Sequence, residues 1–97
     1  MESPSSTATR IIECIGRFLD SCGRETAQLG NRTNLASGLG LSSDEGLDLV
    51  LDLCEEFDFD FPNEFNPVVH RDGKRGNTVN ELTHEVHRYM AAAGVEA

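Results

Sequence analysis

The sequence predicts an all-α domain on three observations. Apolar residues recur at helical spacing in three separate stretches, no two segments read as a pair of strands, and aromatic residues are too few to build a core alone. Aromatics make up 6% of the 97 residues and Trp is absent, so aliphatic stripes on helices must supply most of the buried surface. A chain this short has interior for one hydrophobic core, which makes residues 1–97 a single domain.

The first helix is expected from about Ser6 to Cys22, because Ile11, Ile12, Ile15, Phe18, Leu19 and Cys22 fall on one helical face. Gly23 suits its left-handed end, and residues 1–5 read as a flexible leader. From Arg24 to Leu41 the composition is that of a long loop, rich in Gly, Asn, Ser and Thr and anchored by Leu29, Leu35, Leu39 and Leu41, with a short helical turn near Thr26. The second helix then begins with a capping box, Ser42 as N-cap and Glu45 three residues on, which puts Ser43 at the first helical position. Its buried stripe is read as Leu47, Val50, Leu51, Cys54 and Phe57, with Leu49 and Leu53 widening the arc.

The stretch DFDFPNEFNPVVHRDGKRG follows. Its FDFDF alternation has no partner strand, Pro62 and Pro67 interrupt helical continuity, and Asp72-Gly73 marks a turn. The phenylalanines are expected to plug the bundle, with a short helical turn over 62–65 and an extended loop over 66–77. The last helix starts from a second capping box, Thr78 with Glu81, and buries Val79, Leu82, Val86, Tyr89 and Met90 before Gly94 ends it.

Charge narrows the function. The net charge is −9, and nine acids between Asp44 and Glu64 stand without a single Lys or Arg. Such a surface repels a phosphate backbone and attracts basic patches on protein partners. His70, Arg71, Lys74 and Arg75 form the one basic cluster. No run approaches the roughly 18 apolar residues of a membrane span, and no signal pattern opens the chain. Cys14, Cys22 and Cys54 are an odd number that implies no disulfide framework, so a reducing, cytoplasmic setting is expected. A metal shared by Cys54, His84 and His87 is a weak alternative, because three-residue His spacing is equally that of a solvated face. The acids lack the spacing of a calcium loop, and Ser42 and Ser43 lack the elbow and nearby histidine of a serine nucleophile, so no enzyme is read here.

The arrangement resembles acyl carrier proteins over nearly the whole chain. The motifs are Leu39-Gly40, then Leu41-Ser42-Ser43-Asp44 opening an acidic helix, then Glu55-Glu56-Phe57 with Pro62 soon after. Counting back from Phe57 and forward from Leu39-Gly40 by the family's spacing both reach Ser43. The chain departs from the family at Ser42, where an aspartate is usual, at Asp44, where a leucine is usual, and at Gly46 inside the first turn.

The resemblance implies a small acyl-carrier-like four-helix bundle, a monomer, with a long loop between helices one and two. It implies a carrier in which Ser43 bears a covalent 4′-phosphopantetheine arm holding an acyl thioester for lipid, fatty-acid or secondary-metabolite synthesis. Asp44, Glu45, Asp48, Asp52, Glu55 and Glu56 would dock a phosphopantetheinyl transferase and acyl-transferring or condensing enzymes with basic surfaces. Leu47, Val50, Leu51, Phe61, Val86 and Met90 would line an acyl pocket. The alternative is an unmodified carrier-fold module that docks on a protein through the same acidic helix and the HRDGKRG loop.

Overall fold

Helix α1 spans Pro4–Ser21, α2 spans Ser43–Phe57 and α3 spans Val79–Ala92. The structure, a computed structural model, describes residues 4–24 and 29–95. All regular structure among the described residues is helical; two isolated bridges, Asn34 to Thr78 and Val69 to Gly76, are the only strand-like pairings among them.

Helix α1 opens at Pro4, where the missing amide hydrogen costs nothing and the fixed φ suits a first turn. Pro4 and Ser5 are therefore helical rather than a flexible leader, while residues 1–3 and the expected turn at Thr26 lie outside the described residues. The buried face carries Ala8, Ile11, Cys14, Ile15, Phe18 and Leu19. Cys22, expected on that stripe, is exposed because the helix has already ended. Gly23 turns left-handed at φ 72°, and the Arg24 amide returns 2.9 Å to the Leu19 carbonyl, closing the helix end.

Helix α2 keeps the expected boundaries but not the expected phase. Gly46, Leu49, Leu53 and Phe57 face the core, whereas Leu47 and Leu51 are 52% and 63% exposed. Leu49, Leu53 and Phe57 form an i, i+4, i+8 row as regular as the one read from the sequence, and α1 packs against that row. Asp58 ends the helix in the left-handed region, φ 49° and ψ 52°.

Three helices, not four, make up the described residues. The short turn expected over 62–65 is present as a single turn, in which the Phe65 amide donates to the Pro62 carbonyl at 3.0 Å, and it does not extend into a fourth helix. Two prolines five residues apart leave little helix to propagate, and Asn66 Oδ1 takes the Val68 amide at 3.0 Å, a side-chain competitor for helical bonding.

Helix α1 packs on both α2 and α3, whose own backbones do not meet. The 58–78 segment joins them instead. Phe61 and Phe65 stack with each other at 5.2 Å between ring centroids, and Phe65 meets Tyr89 of α3 at 5.1 Å. Asn66 reaches the first turn of α2, where its Nδ2 donates 2.9 Å to the Ser43 carbonyl. Phe57, Phe61, Phe65 and Val68 join one buried cluster with Leu35, Leu41 and the helical stripes.

The two long connections also hold each other. The Leu35 amide donates to the Asn77 carbonyl at 2.8 Å, the Val79 amide to Thr33 at 3.0 Å and Asn34 Nδ2 to the Gly76 carbonyl at 2.9 Å. A Cβ at Gly76 would stand 2.5 Å from the Ala36 Cβ, so only glycine permits this approach. No helix among the described residues is long and apolar enough to cross a membrane.

Candidate functional site

The first turn of α2 is fixed from three directions. Ser42 is extended, φ −88° and ψ 168°, and its hydroxyl accepts the Glu45 amide at 3.1 Å while the Glu45 carboxylate accepts the Ser42 amide at 3.0 Å. This is the capping box expected from the sequence, and it satisfies two of the amide donors that a helix start leaves open. Arg24, at the end of α1, approaches the same carboxylate at 2.8 Å and donates to the carbonyls of Leu39 and Gly40 at 3.2 Å. The Ser42 amide, then the Arg24 guanidinium, hold the Glu45 carboxyl below the usual carboxylate range. From the third side comes Asn66, against Gly46.

Ser43 stands exposed at the head of this clamped turn. The Glu45 amide goes to the Ser42 hydroxyl and the Gly46 amide to the Ser42 carbonyl at 3.0 Å, which leaves the Ser43 and Asp44 amides without a partner among the described residues. A phosphodiester on the Ser43 oxygen would meet those amides and the positive end of the helix dipole. Among the described residues no histidine is hydrogen-bonded to the Ser43 hydroxyl.

Leu47 and Leu51 follow Ser43 at i+4 and i+8, on the same outward face. Asp44, Asp48 and Glu55 are exposed on the same helix. Of the remaining three acids of the expected docking set, Glu45 and Glu56 are engaged in ion pairs and Asp52 is half-buried. Glu45 is held as described, and Glu56 takes Arg10 Nε at 2.9 Å and an Arg17 nitrogen at 2.7 Å. Burial pushes the Glu56 carboxyl up, but those two guanidiniums outweigh it and the net shift is downward. Asp52 is partly buried; burial first, then the Glu55 and Asp48 charges, raise its carboxyl against the opposing pull of Arg17.

The six residues expected to line an acyl pocket do not converge. Leu47 and Leu51 point to solvent, Val50 is half-buried, and Phe61, Val86 and Met90 sit in the packed core at 8%, 0% and 1% exposure. The clefts that do open lie elsewhere. One of about 400 Å³ runs between α1 and α2 past Cys14, Arg17 and Asp52, and another of about 250 Å³ lies between the 64–73 segment and α3. Burial first, then nearby acids, push the Cys14 thiol up to about 12, so it stays protonated and inert.

Cys54, His84 and His87 form no cluster: among the described residues no group of three His, Cys, Asp or Glu side chains could hold a metal ion. The basic loop is tied into the fold, with Arg75 paired to Glu81, His70 Nδ1 taking the Asp72 amide at 3.1 Å and Arg71 3.9 Å from Glu85.

Arg24, Asn66 and Gly46 were not among the residues singled out as site residues, yet they position the α2 terminus. The signal for Gly46 was a lone glycine inside a helical pattern, which marks either weakness or close approach. No protein-family model, curated protein or solved structure matches this chain.

Proposed function

We propose that this chain is a carrier of the acyl-carrier type, in which Ser43 bears a 4′-phosphopantetheine arm and the arm holds an acyl group as a thioester. One observation carries the reading. Ser43 is the exposed first residue of a helix whose start is clamped by Ser42, Glu45, Arg24 and Asn66, with open amides beside it and a solvent-facing Leu47–Leu51 stripe below it. A transferase needs a reachable hydroxyl on a rigid turn and an apolar, acid-rimmed surface to hold while it reacts. Both are present on one face.

In this reading the chain is a carrier bundle whose short third helix is reduced to the turn at 62–65, acting in the cytoplasm as a monomer and without catalysis of its own. Leu47 and Leu51 belong to the docking face rather than to a pocket. Asp44, Asp48 and Glu55 supply the open charge toward basic partner enzymes, and Glu45 and Glu56 serve chiefly to hold α2 in place.

Incubation with a broad-specificity phosphopantetheinyl transferase and coenzyme A, followed by intact-mass analysis, tests it. A gain of one phosphopantetheinyl group, absent in Ser43→Ala, is expected. No gain, or a gain that persists in Ser43→Ala, sinks the assignment.

A second reading is favoured by Asp44, an exposed charge immediately after Ser43 where the family offers an apolar contact. In it the unmodified chain docks on a protein through the same face. It predicts partner capture by the Ser43→Ala chain that is lost on Leu47→Asp, with no change in mass on incubation with transferase.

A further inference from the structure

The turn at 70–75 holds one imidazole nitrogen between a donor and an acceptor. His70 Nδ1 lies 3.1 Å from the Asp72 amide nitrogen, which donates to it, and 3.2 Å from Asp72 Oδ2, which when ionised can only accept. A ring nitrogen accepts when bare and donates when protonated, so one of these two contacts is unfavourable in either state. The opposite nitrogen has no such conflict, since Nε2 faces Glu81 Oε2 of α3 at 3.5 Å and an Nε2–H suits that carboxylate in both states. In the neutral ring the single proton therefore belongs on Nε2, and Nδ1 is left bare toward the Asp72 amide.

The carboxylates around the ring keep their charge while histidine side chains gain or lose theirs. The Lys74 amide first, then the nearby His70 and Arg75 charges, hold the Asp72 carboxyl below the usual range. The Arg75 hydrogen bond, then the Thr78 amide, bring Glu81 to about 2. Neither group changes charge between pH 8 and pH 5, the span in which histidine does. Glu64, Arg71, Glu85 and Tyr89 are the other titratable groups in the lining that His70 shares, and Arg75 stands 3.9 Å from Asp72 Oδ2.

We propose that His70 is a proton-driven switch within this turn. Unprotonated, Nδ1 holds the Asp72 amide. When a proton from solvent binds Nδ1, the amide loses its acceptor and the new N–H donates to Asp72 Oδ2 instead. The frame of the turn stays, because the His70 amide donates to the Arg75 carbonyl, the Gly73 amide to the His70 carbonyl and the Lys74 amide to Asp72 Oδ1, each at 2.8 Å. The movable part is the Arg71–Asp72 peptide, which carries the freed amide and leads directly into the exposed Arg71 side chain. The new charge falls within the basic cluster of His70, Arg71, Lys74 and Arg75, so acid strengthens its pull on anionic groups. The switch is independent of whether Ser43 carries an arm.

Ring and backbone ¹⁵N–¹H spectra of the ¹⁵N-labelled chain, recorded from pH 8 to pH 5, test the proposal. At pH 8 the His70 proton is expected on Nε2. Toward pH 5 the Asp72 amide proton should move upfield as it loses its acceptor, along the same curve as the His70 ring. In His70→Asn the side-chain oxygen accepts at every pH in the range, so the Asp72 amide should keep one position throughout. A proton on Nδ1 at pH 8, a ring that takes up no second proton by pH 5, an Asp72 amide that stays in place while the ring titrates, or an amide shift that persists in His70→Asn overturns the inference. The first three outcomes are read on the parent chain alone and need no variant to fold.

Discussion

A helix-interior glycine is ordinarily about 1 kcal/mol less favourable than alanine, so replacing it stabilises most helices. Gly46 reverses that expectation. A Cβ there would lie 2.0 Å from Asn66 Oδ1, and the Asn66 amide cannot retreat without giving up its bonds to the Ser43 carbonyl and the Val68 amide. Gly46→Ala is therefore expected to destabilise the chain by about 1–3 kcal/mol, the usual cost of overpacking a fitted contact. Urea denaturation would show it as a lower midpoint. In an Asn66→Ala background the obstacle is gone, and the same change should become neutral or stabilising. A loss of equal size in both backgrounds would mean that Gly46 matters for some other reason than Asn66.

At the scale of elements, the limits of α2 were legible and its rotation was not. Ser42 and Glu45 announce the start through a local hydrogen-bond exchange, and Thr78 with Glu81 does the same for α3, so both starts can be read from four consecutive residues. The rotation of α2 is a tertiary choice. Leucines at 47, 49, 51 and 53 surround the helix, and two rows of equal quality compete until α1 and the phenylalanine segment decide between them. The missing fourth helix has the same origin, since Asn66 acts through Ser43, 23 residues away. The phase makes a direct prediction. Leu49→Ala and Leu53→Ala, at 0% exposure, should each cost about 2–5 kcal/mol in urea unfolding, while Leu47→Ala and Leu51→Ala should stay within about 0.5 kcal/mol of the parent. Comparable losses at Leu51 and Leu53 would restore the inward phase and the expected acyl pocket with it.

Across the whole molecule, the three parts that position Ser43 and the basic loop are held by carboxylates that bind protons less readily in the folded chain. Glu45 ties α2 to Arg24, Glu56 ties it to α1, and Glu81 ties α3 to the basic loop. The effect is largest at Glu81, where the Arg75 hydrogen bond, then the Thr78 amide, bring the carboxyl from 4.5 to about 2. A carboxyl depressed in the folded state stabilises the chain fully above its unfolded value, and that contribution is lost as pH falls from about 4.5 toward 2. Asp52 works in the opposite direction, because its raised carboxyl favours the folded chain on protonation. Glu81→Gln separates the charge from the cap, since glutamine can still accept the Thr78 amide. The variant should lose about 0.5–1 kcal/mol at pH 7, the scale of a partly exposed ion pair, and should fall less than the parent between pH 4.5 and 2. Urea midpoints across that range, at low and at 1 M salt, are the measurement. The two curves should converge with acid and draw together in salt; curves that run parallel down to pH 2 would show that Glu81 acts as a neutral cap and that the basic loop is not held by its charge.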